Sequence, residues 1–414
     1  MRNDLGTSVG HKEKLMAMPP VIGGNMKAQV LRNLFLLAGL AAGLTIATDG
    51  VAAPTCPKDQ IVTSDGCVSV RQASNKVTAI VRDAMPGLKL KAVVAGFAVD
   101  GSPPFLLAEG VSMTGVPAAP DMKFRNGAIA IAYMGTVLLQ LRDEGAITLD
   151  DQLSRWFPEH PNADQVTLRM LINGTSGYAD YVTDDGFLRD LHADPFRHWR
   201  PEELVEIGLK RPVVCEPGAC WSYAHTNFVI LGAVMEKATG QSLRDLIRAR
   251  IIEPLGLTGT QSTQTAAIPE PVLHAFDAER GRYEESTFWN PSWTLADGAV
   301  MTTTIRDVLR SAEAIGGGTL LTPKSHAEQI APLIAGFKPW SETSYYGLGV
   351  FLINGWILQN PSFSGYAATM GYLPEGKISL AVSVTMDATA SMEGNLSTDV
   401  FKEIASYLAP DAPL

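Results

Sequence analysis

The first regular hydrophobic pattern in the chain has helical spacing and covers residues 70–85. Two short apolar runs follow at 91–99 and 105–111, joined by the sequence Asp-Gly-Ser-Pro-Pro at 100–104. A polar connection rich in Gly and Pro between two apolar runs is typical of a turn between strands. The pattern therefore predicts a helix that leads into a β-hairpin.

Residues 128–142 are apolar almost throughout, and the stretch ends at Asp-Glu-Gly. A helix that is apolar around its whole circumference is buried on most of its sides. We therefore expect this helix to lie inside the core.

The rest of the chain divides into a helical middle and a mixed end. Three helical runs lie in the middle third, at 201–210, 227–239 and 242–252. Three strand-like runs and a helix follow, at 346–353, 365–373, 378–384 and 398–408. Helices and strands at the two ends of the chain flank a helical insertion at about 147–310. This order predicts a mixed α/β (α+β) fold, in which an antiparallel sheet carries terminal helices and a mostly helical lobe.

The first 53 residues have the features of a secretory signal. Lys27 and Arg32 follow Met26, an apolar run covers 34–48, and small residues precede Pro54. This order is typical of a signal peptide, with cleavage expected after Ala53. The apolar run is shorter than the roughly 20 residues that span a bilayer, and an uncleaved anchor is the alternative. We expect the protein to be exported and to keep no stable membrane span.

This interpretation divides the chain into three regions: an N-terminal extension with the signal peptide at 1–53, a disulfide-containing segment at 54–75 and one large domain at 76–410. Because the first region carries five basic and three acidic residues, its removal takes the net charge from −10 to about −12. So acidic a chain disfavours nucleic acid as a partner.

The four cysteines of an exported chain are expected to be oxidised. Pairing within the short loops, Cys56 with Cys67 and Cys215 with Cys220, is the simplest of three connectivities. None of the 7 histidines forms an HExxH or HxH pattern, so the sequence predicts no metal site and implies no cofactor.

A series of short motifs begins at residue 124. Phe-Arg-Asn-Gly at 124–127 precedes the apolar helix, and Ile-Thr-Leu-Asp-Asp-Gln-Leu follows it at 147–153. The later landmarks are Thr-Ser-Gly at 175–177, Trp-Ser-Tyr-Ala-His-Thr-Asn-Phe at 221–228, Pro-Leu-Gly-Leu at 254–257, Gly-Ala-Val-Met-Thr-Thr at 298–303 and Tyr-Gly-Leu-Gly at 346–349. Their order over about 80–405 resembles the serine β-lactamase-related family of penicillin-binding proteins, in the branch that holds class C β-lactamases, D-alanyl-D-alanine carboxypeptidases and related esterases.

The resemblance implies a nucleophilic serine at a buried helix N-terminus and a lysine three residues later that helps to remove its proton. That spacing points both side chains into one pocket. In this chain Ala128 and Ile131 occupy the two positions. Neither side chain can attack a carbonyl or accept a proton.

The family's second motif is a tyrosine, which works as general acid or base, followed two residues later by an asparagine that holds the substrate amide. Here Tyr223 is kept and His225 stands in the asparagine position. Tyr223 is expected to be either a catalytic acid or base or a hydrogen-bonded wall of the pocket. His225 could bind a carboxylate or act as a base, and the alternative is a half-buried histidine with a structural hydrogen bond.

The family's third motif lies on an edge strand and consists of a His or Lys, then a Ser or Thr, then a Gly. It aligns with Gly365, Tyr366 and Ala367 of this chain, which match it poorly. The family's oxyanion hole uses the backbone N–H of the nucleophile and another on the edge strand. The resemblance places these donors at Ala128 and Ala368.

Other polar residues allow two interpretations each. Ser176 and Ser222 are candidates for a displaced nucleophile, although a structural turn is favoured for the first and the same caution applies to the second. Asp297 precedes Gly298, and turn formation explains this pair without catalysis. The aromatic residues Phe288, Trp289 and Trp293 either line a cleft or cover the helical lobe.

Three hypotheses follow from these residues. The first is an exported pseudoenzyme, secreted, periplasmic or in the cell envelope, that binds a small molecule or peptide, such as a peptidoglycan-derived peptide or another acyl compound, without covalent chemistry. The second is an active serine hydrolase, a carboxypeptidase, β-lactamase or esterase, with a displaced nucleophile. The third is an envelope protein with a filled site. Fold alone does not decide among them.

Overall fold

The computed structural model describes residues 56–57, 59–262, 265–391 and 394–414. The predicted signal peptide and extension at 1–53 lie outside the described residues. No described helix is both long enough and apolar enough to cross a membrane.

The described chain begins with a small hairpin, β1 (Gln60–Thr63) and β2 (Gly66–Ser69). The Cys56–Cys67 disulfide joins the segment before β1 to β2. Helix α1 (Val70–Leu88) follows and begins with a capping box, in which the Ser69 side chain accepts from the Gln72 backbone N–H. A cap of this kind satisfies donors that the first helical turn leaves unpaired.

After α1 the chain forms the predicted hairpin, β3 (Leu90–Val99) and β4 (Phe105–Met113), and a short strand β5 (Val116–Pro117). Strand β6 (Phe124–Arg125) then leads into α2 (Ile129–Asp143). Every residue of α2 from Ile129 to Leu139 is buried, as its apolar sequence predicts.

The helical lobe contains six α-helices and a π-helical turn. They are α3 (Leu168–Asn173), α4 (Asp185–Ala193), α5 (Pro201–Lys210), α6 (His225–Thr239), α7 (Leu243–Ile247), the π turn Arg248–Ile252 and α8 (Glu253–Leu255). Short 3-10 turns lie at Leu153–Arg155, Tyr181–Thr183 and Pro291–Trp293. The second disulfide, Cys215–Cys220, closes the loop before α6.

The chain leaves the lobe through three short strands and two helices, β7 (Phe276–Asp277), β8 (Glu284–Glu285), β9 (Thr302–Thr303), α9 (Ile305–Gly316) and α10 (Pro323–Gln329). The remaining elements are β10 (Ser344–Tyr346), β11 (Phe351–Ile353), β12 (Trp356–Gln359), β13 (Ser362–Phe363), β14 (Tyr366–Leu373), β15 (Ile378–Met386) and α11 (Leu396–Leu408).

Nine of these strands form one antiparallel sheet in the order β10-β11-β12-β14-β15-β3-β4-β5, with β13 paired to β14. Helices pack on both faces, and glycines allow the closest approaches. A Cβ at Gly371 would lie 2.5 Å from Phe401 of α11, whereas one at Gly96 would lie 2.9 Å from Leu309 of α9. Gly96 pairs with Ala381 and Gly371 with Leu380. Successive residues of a strand point to opposite faces, so α9 and α11 cover opposite faces of the sheet.

Residues 346–353, predicted as one strand, form the ends of β10 and β11 and the turn between them. Gly347 and Gly349 make this turn, where a Cβ on Gly349 would lie 2.7 Å from the Ile131 carbonyl oxygen. The turn thus packs closely against α2. The period of apolar residues continues through it, which is why the sequence suggested an unbroken strand.

Candidate functional site

The start of α2 is held by the turn Asn126–Gly127–Ala128. Buried Asn126 binds Met301 twice, through its side-chain oxygen at 2.7 Å and its backbone N–H at 3.0 Å. Gly127 has φ +50°, and a Cβ there would lie 2.5 Å from the Pro361 Cβ. Glycine is therefore required both for the backbone angle and for the close approach of the sheet. Ala128 occupies the N-cap position, without a side-chain cap.

Ile131 lies one turn further along α2 and is fully buried in the main hydrophobic core. Its branched side chain occupies the place where the resemblance expects an ammonium group. A lysine without a charged or polar partner would be costly in these surroundings. The pair therefore contributes hydrocarbon packing and no proton transfer.

Tyr223 lies on the segment that leads into α6, and His225 is the first residue of that helix. The Ser222 N–H donates to the Gly174 carbonyl at 2.8 Å and fixes this segment against the turn at 174–177. The Tyr223 ring lies 5.2 Å from the His225 ring and 5.4 Å from Phe228. Burial, with contributions from Tyr346 and Asp180, raises the pKa of Tyr223 well above its usual value. The Tyr223 phenol therefore holds its proton more tightly than a tyrosine in water.

His225 is bound to Asp180, a residue that the sequence analysis did not single out. His225 Nδ1 lies 2.9 Å from Asp180 Oδ2, and the His225 backbone N–H donates to Asp180 Oδ1 at 3.1 Å. The two side chains are only 12% and 11% exposed. The residues are far apart in sequence, and Asp180 belongs to none of the family motifs quoted above, so no local pattern indicated the pair.

The sheet contributes other residues to this site than the sequence predicted. Pro361 and Phe363 are the neighbours of Gly127. Gly365, by contrast, approaches Phe276 and Ser286, and the Tyr366 hydroxyl donates to the Leu273 carbonyl at 2.6 Å. The segment next to Ala128 is therefore the connection from β12 to β13, and not Gly365–Tyr366–Ala367.

Ala368 is not a free donor either, because its N–H is bonded to the Pro361 carbonyl at 2.9 Å. Bonded and non-bonded pairs alternate along an antiparallel ladder. Ser362, the next residue after Pro361, pairs with Ala367 and takes the non-bonded place. Its N–H therefore points away from β14.

The end of β12 is connected to α2 and to the tyrosine segment. Gln359 is buried, and its Nε2 donates to the Gly349 carbonyl at 2.7 Å. Gly349 contacts the Ile131 backbone, and Trp221 contacts Tyr346 with ring centroids 6.0 Å apart. Packed residues thus join the end of β12, α2 and the segment that carries Tyr223.

Ser176 is fixed in a structural role. It is 1% exposed, its hydroxyl donates to Asn227 Oδ1 at 2.6 Å and it accepts the Tyr178 N–H at 3.1 Å. Asp297 is half-buried and precedes Gly298, which has φ +78°. Such an angle is typical of a Gly in a turn.

Of the three aromatic residues, Trp293 contacts β13, the strand next to the start of α2. Its ring contacts Phe363 of β13 and Phe187 of α4, each at 6.2 Å between centroids. Trp289 is buried and Phe288 is 40% exposed. Trp293 therefore connects the helical lobe to the strand beside Ala128.

Two further features bear on the chemistry of the chain. Within the described ranges, no group of three or more His, Cys, Asp or Glu is placed to hold a metal ion. A separate cavity of about 890 Å³ lies between α5 and α6 and is lined by Phe157, Val205 and Ala233 among others. Its lining includes none of the motif positions.

Comparison with known proteins gives a consistent family. The Beta-lactamase family matches residues 77–399. Penicillin-binding protein 4 from Amycolatopsis lactamdurans is 33% identical over 40% of this chain and 42% of its own length. Esterase EstB from Burkholderia gladioli is 26% identical over 77% of this chain and 91% of the esterase. The chain spans about half the length of the penicillin-binding relatives it matches.

Among solved structures, a D-stereospecific amidohydrolase from Streptomyces sp. superposes with a TM-score of 0.71 and 26% identity, covering 83% of this chain and 99% of the amidohydrolase. The family match extends over most of the chain and includes both the sheet and the helical lobe. The chain therefore belongs to the Beta-lactamase family.

Proposed function

We propose that this protein is an exported member of the family that binds its ligand without covalent catalysis, the ligand being a cell-wall peptide or another acyl compound. The observation that carries the proposal is the joint presence of Ala128 and Ile131 where the family has its nucleophile and base. Ile131 is fully buried, so its side chain fills the space of the missing base.

Backbone groups at the site still suit a carbonyl ligand. The Ala128 N–H precedes the hydrogen-bond ladder of α2, and the Ser362 N–H is directed away from β14 by the register of the strand pair. N–H groups at a helix start attract oxygen atoms with negative charge. They would hold an acyl oxygen even when no nucleophile attacks the carbon.

A displaced nucleophile finds little support at Ser176. Its hydroxyl is bonded to Asn227 and shielded from solvent, and no described contact joins it to a histidine or lysine that could take its proton. A serine nucleophile needs such a base.

Export is part of the same proposal. The structure contains both disulfides expected from the sequence, Cys56–Cys67 and Cys215–Cys220. Disulfides persist in oxidising compartments outside the cytosol, which supports the interpretation of residues 1–53 as a signal segment.

The proposal is tested with an N-acylated D-alanyl-D-alanine peptide and an N-acylated amino acid ester. We expect calorimetry to detect binding and chromatography to detect no enzymatic release of D-alanine or alcohol. Turnover above the buffer blank that is lost in Ser176→Ala or Ser222→Ala would contradict the proposal and favour a displaced nucleophile.

A further inference from the structure

The contacts of Asp180 determine which nitrogen of the His225 ring carries the proton. The carboxylate of Asp180 accepts from the backbone N–H groups of Val182 and His225 through Oδ1 and contacts His225 Nδ1 through Oδ2. An ionised carboxylate can only accept hydrogen bonds. The proton of a neutral His225 ring is therefore on Nδ1, and Nε2 carries a lone pair.

The charges around the pair do not alter this assignment. Arg211 donates through Nη1 to the Asp180 backbone carbonyl and to Thr183 Oγ1, and within the described residues neither bond reaches the Asp180 carboxylate. The rings on either side of His225 are Tyr223 at 5.2 Å and Tyr181 at 5.9 Å. Tyr181 donates its own hydroxyl to the Trp293 carbonyl, so it does not compete for Nε2.

Nε2 is available to a ligand. The His225 side chain keeps 12% exposure, and its one side-chain hydrogen bond among the described residues is through Nδ1. An asparagine in this position could donate to a carbonyl oxygen through its amide. A neutral histidine with this tautomer cannot donate from Nε2 and offers only an acceptor.

We infer that Asp180 and His225 form a hydrogen-bond-accepting specificity site, which takes an N–H donor of the ligand and favours a primary amine next to the acyl group. Asp180 is the positioning residue, and His225 contacts the ligand. The negative charge of Asp180 behind the ring favours an ammonium over a neutral donor. This inference rests on the proposed function for the location of the ligand.

The tautomer is tested first, without any ligand. We expect ¹⁵N NMR at pH 8, above the ordinary titration range of imidazole, to show the His225 proton on Nδ1, with the signal assigned by its loss in His225→Asn. In Asp180→Asn the oxygen can still accept the two backbone N–H groups, and the amide –NH₂ then faces Nδ1. We expect this variant to move the ring proton to Nε2. A proton on Nε2 in the unaltered protein would overturn the inference.

The ligand preference is tested with D-phenylalanine amide and 3-phenylpropanamide, which differ only by the amino group. We expect calorimetry to show the amine-bearing compound bound about tenfold more tightly or better, since a hydrogen bond to a charged group contributes about 1.5–3 kcal/mol. Asp180→Asn should abolish that advantage. Near-ultraviolet circular dichroism checks that the variant is folded.

The outcomes separate the two proposals. Equal affinity for both compounds would contradict the acceptor site and leave the proposed function intact. No binding of either compound, with the expected tautomer, would contradict the amine preference and count against this ligand class for the proposed function. An unchanged preference in Asp180→Asn would show that the pair does not set it.

Discussion

At the scale of single residues, apolar side chains stand at two positions of the site where the family resemblance implies polar ones. Ala128 keeps the backbone of a nucleophile position without its hydroxyl, and Ile131 is fully buried where a lysine is expected. In serine hydrolases of other folds, removal of the nucleophile leaves about 10³–10⁴-fold catalysis over water from the oxyanion hole and binding. Residual activity of this size is too low for a dedicated hydrolase, which is one reason why we propose a binding role.

The packing role of Ile131 can be measured through stability. Ile131→Lys places an ammonium group without a partner in the core, so we expect urea unfolding to show a loss of roughly 3 kcal/mol or more. Ile131→Val, the matched control, should cost only about 0.5–1.5 kcal/mol. If the lysine variant were as stable as the valine variant, the site would still hold a partner for the lysine and would not be filled by hydrocarbon.

Asp277 is a second residue in unusual surroundings, at the end of β7. It is buried, and its Oδ2 has no hydrogen-bond partner among the described residues. Burial raises the pKa of Asp277 to about 7. The negative charges of Glu279 and Glu284 also raise this pKa, whereas His192 lowers it. An aspartate in an unfolded chain titrates near 3.9. The folded state therefore holds this proton more tightly than the unfolded state.

This difference predicts a pH dependence of stability. The stability that protonated Asp277 contributes to the folded state is fully present below about pH 4, near the pKa of the unfolded chain. This stability is lost as the pH rises through about 7, the pKa in the folded state. Asp277→Asn keeps the neutral form, so we expect it to be more stable than the unaltered protein at pH 8 and closer to it at pH 5 in urea unfolding. Asp411→Asn, at an exposed position, should show no such difference. Parallel pH curves for Asp277→Asn and the unaltered protein would refute the assignment.

At the scale of elements, the site is formed where the start of α2 packs against the connection from β12 to β13. The sequence predicted α2 and its burial correctly because an apolar run of that length is informative by itself. It placed the neighbouring strand segment wrongly because short edge strands with few apolar residues give a weak pattern. The Asp180–His225 pair was missed for a different reason, since a contact between distant segments leaves no local pattern.

The closeness of this junction is tested at Gly127. Gly127→Ala requires a residue with a side chain at φ +50° and a Cβ 2.5 Å from Pro361. Gly240, the C-cap of α6, has φ +70° with nothing within 4 Å of a Cβ. We expect Gly240→Ala to cost about 1 kcal/mol from the backbone angle alone, and Gly127→Ala to cost clearly more in thermal or urea unfolding. Equal losses would mean that β13 does not press on the start of α2.

At the scale of the whole molecule, the structure confirms the architecture expected from the order of the motifs, which consists of terminal helices, a central antiparallel sheet and a helical lobe. Ordered landmarks such as Phe-Arg-Asn-Gly before α2 and Trp-Ser-Tyr before α6 identified the family from the sequence. They could not identify the ligand, because fold and function are separable. We propose that the chemistry of the site depends on Ala128, Ile131 and His225, where this chain differs from the motifs that the resemblance implies.

Whether the site forms a covalent intermediate can be decided by the intact mass of the purified chain after separate incubation with a penicillin and with a fluorophosphonate. We expect an unchanged mass with both reagents, since Ala128 offers no nucleophile and Ser176 is bonded and buried. A stoichiometric adduct with either reagent, mapped to a residue of the site, would contradict it.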